Sequence, residues 1–146
     1  MAFRLEEVMD NPIVFNIAPV VASRPRVTRW GTYFAKKYSN FREEFAELLT
    51  DYKAIPIDGL LSVRLDFHVQ LPKSWSAKKK IEKEGRHCDN NADIDNYVKA
   101  TLDGLEGQYY HNDKQIVMIR ARKYWSDNGR IEFEFEELKG EDLVTK

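Results

Sequence analysis

Apolar and polar residues alternate most regularly over residues 61–69 and again over residues 131–136. In the first segment, LSVRLDFHV, every second side chain is apolar, and in the second, IEFEFE, apolar residues alternate with glutamates. A period of two is typical of a β-strand with one buried face. Two other segments, IVFNIA before Pro19 and QIVMIRARKYW from Gln115, indicate two further strands. A polar turn between the last two strands predicts a return strand after Gly129.

Three other segments predict helices. YSNFREEFAELLTDY has an apolar stripe, and Ser39 or Asn40 can cap a helix there. SWSAKKKIEKEG predicts a short helix that ends at Gly85. DIDNYVKATLDGL places apolar residues at positions i, i+3, i+4, i+7, i+8 and i+11, which fits one face of a helix. We expect Asp95 to cap this third helix and Gly104 and Gly107 to end it.

The order of these elements predicts the fold class. Residues 22–35 contain a proline, a glycine and many polar groups, and they predict a long loop or hairpin between the first strand and the first helix. The mixed order of strands and helices indicates an α+β domain. We expect a small mixed or antiparallel sheet of about four strands, with two to three helices on one face. The length favours one domain over 1–146, with an extension at 1–11 and a tail at 138–146.

Composition restricts the class of protein further. Hydrophobic residues make up 42% of the chain, which is enough to bury a core. No apolar run approaches membrane-spanning length, and the first ten residues, MAFRLEEVMD, lack the apolar centre of a signal peptide. A single cysteine, Cys88, excludes an internal disulfide and fits a reducing compartment. The sequence therefore predicts a cytoplasmic protein.

The formal net charge of −1 conceals two basic segments. Residues 24–37 contain five basic residues and no acid, and residues 73–86 contain six basic residues and two acids. Such segments form phosphate-binding surfaces, although lysine-rich loops are also found simply in contact with solvent. The candidate DNA-binding residues in these segments are Arg24, Arg26, Arg29, Lys36, Lys37, Lys73, Lys78, Lys79 and Lys80.

Acidic residues gather at the start of the third predicted helix. If Asp93 is extended and Asp95 caps the helix, both carboxylates project toward one point, and Asp113 joins them if the next strand pairs beside the helix start. Three short carboxylates repel one another unless a cation lies between them. Oxygen ligands without histidine or cysteine suit Mg²⁺ or Mn²⁺. Such a site commonly acts on phosphate, and Lys99, one turn after Asp95, would bind that phosphate.

The same residues also fit simpler interpretations. Asp95–Lys99 and Lys99–Asp103 are ordinary pairs four residues apart on a helix, and Asp113 fits a turn. A calcium loop lacks its turn glycine, because Ile94 occupies that position. The histidines and Cys88 lack zinc-ligand spacing, nothing orients the thiol as a nucleophile, and no glycine-rich nucleotide-binding motif occurs.

DIDNYVKATLDGL followed by HNDKQIV resembles the signature of the RusA family of Holliday junction resolvases. That signature is an Asp-x-Asp-Asn motif, a lysine four residues after the second aspartate, a further aspartate, and an aspartate directly before x-Gln-Ile/Val. Upstream, SRPRVTRWGTYF resembles the basic Arg-Pro-Arg segment of the family. The resemblance covers roughly residues 12–137, and Asn112 replaces the first of two consecutive acids found in many members. The matching positions are Asp93, Asp95, Asn96, Lys99, Asp103, Asp113, Gln115 and Ile116.

The resemblance implies a RusA-like homodimer that nicks four-way DNA junctions during recombination and repair. It implies Mg²⁺ as the cofactor, with Mn²⁺ as a substitute, and a phage or prophage origin, since many members are encoded there. By this resemblance, the metal ligands are Asp93, Asp95 and Asp113, the catalytic lysine is Lys99, and Asn96 and Asp103 support them. In this role Asn96 would bond the carboxylates and Asp103 would orient Lys99.

Three other functions remain open at this point. The chain could be a non-catalytic module that binds branched DNA, a metal-dependent phosphohydrolase of small nucleotides, or a domain with a purely structural acid cluster. The aromatic residues Trp30, Tyr33 and Phe34 lie within the first basic segment. We expect them to anchor that loop on its own domain or to form a dimer contact, with stacking on DNA bases as the alternative.

Overall fold

The computed structural model describes residues 3–4, 13–33, 35–51 and 54–140. No helix among them is long and apolar enough to cross a membrane. In chain order the elements are β1 (Phe3–Arg4), β2 (Ile13–Phe15), β3 (Arg26–Thr28), β4 (Gly31–Tyr33), α1 (Lys36–Thr50), β5 (Ala54–Ile55), β6 (Leu61–Gln70), α2 (Ala77–Lys83), α3 (Ile94–Leu105), β7 (Ile116–Ser126) and β8 (Arg130–Glu137), with a 3-10 turn at Asp113–Gln115 before β7.

The main sheet has four strands in the order β2-β8-β6-β7. Strand β6 pairs in parallel with β7 and antiparallel with β8, so the predicted sheet is confirmed as mixed. The expected return strand is β8, but it does not form a hairpin with β7, because β6 lies between them. The two strands with the most regular apolar alternation, β6 and β8, therefore take the centre, where that alternation is buried.

The remaining strands form two short pairs outside the main sheet. Strands β3 and β4 form an antiparallel hairpin, which confirms the expectation for residues 22–35. Strand β1 pairs in parallel with β5. Most of the predicted extension at 1–11 and of the tail at 138–146 lies outside the described residues, so these boundaries stay predictions.

The core lies between one face of the sheet and the helices α1 and α3. Phe45 of α1 packs against Phe15 and Phe41, with ring centroids 5.1 and 5.3 Å away. A Cβ atom added at Gly104 would lie 2.4 Å from a ring carbon of Phe45. The prediction that Gly104 ends α3 is thus wrong, since this glycine lies within the helix and lets α1 approach closely. The same prediction for Gly107 is confirmed, because this residue directly follows the helix C-cap and has a positive φ of 85°.

Two predicted helix caps are also wrong. Helix α1 begins at Lys36, and its N-cap is Ala35, which makes no side-chain capping bond. The helix starts earlier than Asn40 because Tyr38 belongs to its buried face. Helix α3 has Asp93 rather than Asp95 as its N-cap, and this carboxylate makes no capping bond either.

Candidate active site

The first two motif acids lie at the N-terminal end of α3. Asp93 is extended, with φ −76° and ψ 131°, and Asp95 lies in the first turn. Both side chains are exposed. Negative charge is favoured at a helix N-terminus, where backbone N–H groups point outward. The two acids can therefore coexist here and face solvent.

Lys99 lies in the middle of α3 and contacts the next acid along the helix. Its Nζ atom is 3.4 Å from Oδ2 of Asp103, and the lysine side chain is 66% exposed. The expected contact between Asp103 and Lys99 is confirmed. An exposed pair of this kind contributes little to stability, because solvent screens it. The pair instead holds an ammonium group at the helix surface.

A groove of about 610 Å³ runs beside this lysine. Its walls come from the loop before β3, from α1 and from α3. Arg24, Arg42 and Lys99 supply positive charge, and Asp103 and Glu106 supply negative charge at one end. Arg42 was not among the predicted binding residues, because a single arginine on an amphipathic helix carries no sequence signal.

The C-terminal end of α3 carries a tighter acidic cluster. One carboxylate oxygen from each of Asp103, Glu106 and Asp113 lies within 4.8 Å of the other two. No other three histidine, cysteine or acidic residues of the described chain come this close together. Glu106 was missed by the sequence analysis, although its position three residues after Asp103 places both on one helix face. Oxygen ligands in this arrangement fit a hard divalent cation.

Tyr110 fixes the position of Asp113 in this cluster. Its hydroxyl lies 2.6 Å from the carbonyl oxygen of Leu102 and 2.8 Å from Oδ1 of Asp113, and one proton serves both acceptors. Burial raises the pKa of the Tyr110 phenol far above its ordinary value, and the bond to Asp113 raises it further. The phenol is therefore always a donor. No motif in the sequence identified this tyrosine.

The residues around Asp113 explain the x-Gln part of the motif. The amide of Gln115 donates to the carbonyls of Ile57 and Gly59 at 2.6 and 2.9 Å, and its Oε1 atom accepts from the backbone of His111 and Asn112. Asn112 caps the 3-10 turn by accepting from the Lys114 amide at 2.9 Å. These hydrogen bonds of the glutamine fix the position of the turn that carries Asp113, and Asn112 caps that turn.

Helix α3 keeps the motif acids apart within one chain. Lys123, near the end of β7, donates to Asn90 Oδ1 and to the Ala92 carbonyl, both at 2.7 Å, so the end of β7 lies beside the start of α3. The start of β7, with Asp113, lies beside the end of α3. Eight residues separate Asp95 from Asp103, which is about 12 Å along a helix. The structure thus does not bring Asp113 to Asp93 and Asp95.

The profile of the family described as Endodeoxyribonuclease RusA matches residues 16–136. The chain belongs to the RusA endodeoxyribonuclease family. Uncharacterized protein YqaN of Bacillus subtilis (strain 168) is 30% identical to it over 129 residues, covering 82% of this chain and 91% of that protein. The resemblance found in the motifs is confirmed. Family membership implies a DNA-hydrolysing enzyme that acts on branched junctions.

One basic segment lies at the groove beside the RusA motif helix, and the other lies near the loop before that helix. Arg24 lines the groove beside Lys99, and the Ala22 amide donates to the Asn96 carbonyl at 3.0 Å, which fixes the first segment against α3. The second segment contains α2. A hydrogen bond from Trp125, aided by the charges of Lys83 and Lys79 on α2, lowers the pKa of Asp89 just before α3. Most of the candidate DNA-binding side chains are exposed, namely Arg24, Arg26, Arg29, Lys36, Lys37, Lys73, Lys78 and Lys79, and Lys80 is partly buried.

The β3–β4 hairpin projects its aromatic residue into solvent. Trp30 lies at the turn and is 76% exposed, so it does not anchor the loop on its own domain as we expected. The guanidinium of Arg29 lies 4.8 Å from the centroid of its ring. The side chains of Tyr33 and Phe34 lie outside the described residues. An exposed tryptophan beside arginines suits contact with nucleic-acid bases.

Cys88 has the properties of a passive thiol. It is 5% exposed and packs with Leu71 and Trp125. Burial raises the pKa of the thiol, so the reactive thiolate is disfavoured. This geometry removes the thiol nucleophile from the candidate chemistry and leaves the carboxylates and Lys99.

Proposed function

We propose that this protein is a divalent-metal-dependent endonuclease that resolves four-way DNA junctions by paired nicks, as a homodimer. The observation that carries the proposal is the placement of four motif groups along α3, beside a groove lined by Arg24 and Arg42. Acids suited to a cation and bases suited to phosphate therefore share one surface. A nucleotide phosphohydrolase would not require this extended basic lining.

The proposed magnesium ligands are Asp93 and Asp95 of one protomer with Asp113 of the other. Within one chain these acids lie at opposite ends of α3, and the helix cannot shorten. A two-fold axis that sets two α3 helices antiparallel brings the start of one helix beside the end of the other. One dimer then has two equivalent sites, which suits two symmetric cuts.

The acidic residues suit a divalent cation because their donor atoms are carboxylate oxygens. Carboxylate oxygens are the ligands that Mg²⁺ prefers, and the oxygens of Asp103, Glu106 and Asp113 already lie within 4.8 Å of one another. When bound, Mg²⁺ activates a water for attack on phosphorus and offsets charge on the phosphate oxygens. The alternative ligand set is this trio within one protomer, without Asp93 and Asp95 as ligands.

The remaining residues bind and orient the DNA in this proposal. Lys99 donates to the phosphate that is cut, and Asp103 holds its ammonium group on the groove side of α3. Arg24 and Arg42 bind neighbouring phosphates along the groove. Asn96 supports the carboxylates at the start of the helix. The exposed hairpin, with Arg26, Arg29 and Trp30, contacts bases near the centre of the junction.

The test is cleavage of a labelled synthetic four-way junction, with linear duplex of the same sequence as the control substrate. Symmetric paired nicks in the junction with Mg²⁺, and none with chelator, are expected. Asp95→Asn should lower the cleavage rate by about a thousandfold, because several kcal/mol of transition-state stabilisation are lost. Junction binding should persist in this variant. Asp127→Asn, which changes an exposed aspartate in a distant turn, is the matched control.

Each other outcome selects a different function. Tight junction binding without cleavage in the wild type would indicate a binding module. Hydrolysis of small nucleotides that persists after Arg24→Gln and Arg26→Gln would indicate a phosphohydrolase. A melting temperature unchanged by Mg²⁺, together with no cleavage, would indicate a structural acid cluster.

A further inference from the structure

The loop between α2 and α3 runs along the edge strand β7. The backbone holds the first part of this loop. The Gly85 amide donates to the Trp125 carbonyl at 2.8 Å. The Cys88 amide donates to the Lys123 carbonyl at 2.9 Å. Among the described residues, the backbone bonds between this loop and β7 end at Cys88. The last residues before Asp93 are therefore held by side chains.

The side chain of Lys123 binds this last part of the loop through three oxygen atoms. Its Nζ atom lies 2.7 Å from both Asn90 Oδ1 and the Ala92 carbonyl oxygen, and 3.4 Å from the Asn90 carbonyl oxygen. An ammonium group has three N–H donors, and these three acceptors can use all of them. Because all three acceptors are neutral, none of them offsets the positive charge of the lysine. That charge therefore attracts the acids that follow Ala92.

The bond to the Ala92 carbonyl determines how the chain enters Asp93. The Ala92 carbonyl and the Asp93 amide belong to one planar peptide unit, so fixing the carbonyl also fixes the direction of that amide. An aspartate at an N-cap usually accepts a bond from an amide of the first helical turn. Asp93 is the N-cap of α3 and is extended, but its carboxylate makes no such bond. Lys123 thus orients the residue in place of a capping bond, and the exposed carboxylate keeps its oxygens for a ligand.

Asn90 connects the lysine to the buried face of α3. Its Nδ2 atom donates to the Tyr97 hydroxyl at 3.0 Å, while its Oδ1 atom accepts from Lys123. Tyr97 is 5% exposed, and its ring stacks on that of Phe67 with centroids 5.4 Å apart. One line of contacts therefore runs from β7 through the loop into the core below the first turn of α3. These contacts hold the loop and that turn in one fixed arrangement.

We propose that Lys123 is a positioning residue for the divalent cation. Through Ala92 and Asn90, its ammonium group holds Asp93 and Asp95 in the orientation in which they bind the metal, and its charge reduces the repulsion between the two carboxylates. The inference rests on the proposed function, because it takes these two acids as metal ligands. Lys123 touches neither metal nor DNA in this role, since its donors are committed to the loop.

Titration of the melting temperature with Mg²⁺, in the absence of DNA, tests this role. Lys123→Met removes the ammonium group and keeps most of the side-chain length. The Mg²⁺ concentration that gives a set rise above each variant's own metal-free melting temperature should increase about tenfold or more. The half-saturating Mg²⁺ concentration for junction cleavage should increase by the same factor. Lys123→Arg, which retains a cation with several donors, should restore much of the wild-type response. Arg120→Met is the matched control, because it removes an exposed cation from the same strand.

A second variant tests the role even if Lys123→Met folds poorly. Asn90→Ala keeps the ammonium group but removes one of its acceptors and the link to Tyr97, so it should shift the Mg²⁺ titration in the same direction by a smaller factor. The double variant should shift it about as far as Lys123→Met alone, because both residues act through one line of contacts. Junction binding without divalent metal should stay within twofold of wild type in all of these variants.

The failure of this role is distinguishable from the failure of the proposed function. A lower metal-free melting temperature in Lys123→Met and Asn90→Ala, with the Mg²⁺ response of Arg120→Met, would make the lysine a structural anchor and overturn the inference. Weaker junction binding in Lys123→Met with an unchanged Mg²⁺ response would make it a DNA contact and overturn the inference too. Junction cleavage by the wild type would leave the proposed function standing in both cases. A shifted Mg²⁺ response in a protein that cuts no junction would support the positioning role and contradict the proposed function.

Discussion

The two ends of α3 carry the same kind of residue in different surroundings. At the N-terminal end, Asp93 and Asp95 are exposed, and the loop before them carries Asp89, whose pKa is lowered by a Trp125 hydrogen bond and by lysines of α2. At the C-terminal end, Asp103, Glu106 and Asp113 lie within 4.8 Å of one another and Tyr110 holds one of them. The motif reads as one continuous signature along the chain, yet a rigid helix divides it in space. Neither end contains all the groups that the proposed chemistry requires, and in that proposal a second copy supplies the missing ones.

Among the variants outside the proposed metal ligands, the largest expected effect comes from Lys99, midway between the ends of α3. Lys99→Gln removes the ammonium group that binds the cut phosphate, so the cleavage rate should fall by roughly 10²–10³-fold while junction binding changes little. Lys139→Gln is a matched control, because Lys139 also lies 3.4 Å from a carboxylate and is 71% exposed. Single-turnover cleavage measures both variants. Equal rates for Lys99→Gln and Lys139→Gln would show that Lys99 belongs to an ordinary surface pair.

A substitution of Tyr110 tests the acidic cluster at the C-terminal end of α3 alone. Tyr110→Phe leaves the buried Leu102 carbonyl without this donor and frees Asp113, so stability should fall by about 1–3 kcal/mol. Cleavage should fall by about tenfold, because a support of the acidic site is lost. Urea unfolding and cleavage at saturating DNA measure the two effects, with Tyr124→Phe on β7 as the control. Unchanged cleavage in a folded Tyr110→Phe protein would remove Asp113 from the site.

A substitution of Arg42 tests whether DNA binds in the groove beside α3. Arg42→Gln should weaken junction binding several-fold and reduce the slope of log affinity against log salt by about one, because one phosphate contact is lost. Arg64→Gln, on the opposite face of the sheet, should leave that slope unchanged. Binding titrations at several salt concentrations measure this. An unchanged slope in Arg42→Gln would place the DNA outside the groove.

The smallest expected effect concerns the loop before the N-terminal end of α3. The Trp125 indole donates to Asp89 at 3.0 Å and, with Lys83 and Lys79, lowers the pKa of this carboxylate below its usual 3.8. A lowered folded-state pKa stabilises the fold above the unfolded pKa, and this stabilisation is lost as pH falls through the folded value. Asp89→Asn should therefore lower the melting temperature slightly at neutral pH, and the difference from wild type should vanish in acid. A difference independent of pH would contradict this, and Asp127→Asn controls for the loss of an exposed charge.

Local features of the fold follow from the sequence, and long-range ones do not. Alternation in β6 and β8 predicted two strands with a buried face, and both lie in the core. The partner of β8 was not predictable, because the turn at residues 127–129 suits a hairpin as well as a crossing over the end of β6. Gly104 was taken for a helix end because its packing against Phe45 comes from a helix distant in sequence.

For the candidate site, too, residue types and spacing could be read from the sequence, but the arrangement in space could not. Spacing predicts Asp93, Asp95, Lys99 and Asp113 as the chemical groups from the types and order of residues alone, and this assignment stays a prediction. Whether they converge depends on which end of α3 meets the start of β7, and this is set by the parallel pairing of β6 and β7. The sequence did not predict Tyr110 or Arg42, because their roles arise only from contacts made in the folded chain.

Mixing two inactive variants tests the shared site most directly. Asp95→Asn and Asp113→Asn are each expected to be inactive, and refolding them together yields heterodimers. If the acids come from two protomers, each heterodimer has one intact site and one site with both changes, so the mixture should nick one strand of a four-way junction. If all ligands come from one chain, every site contains a substitution. A mixture as inactive as either variant alone, with heterodimers shown to be present, would contradict the shared site.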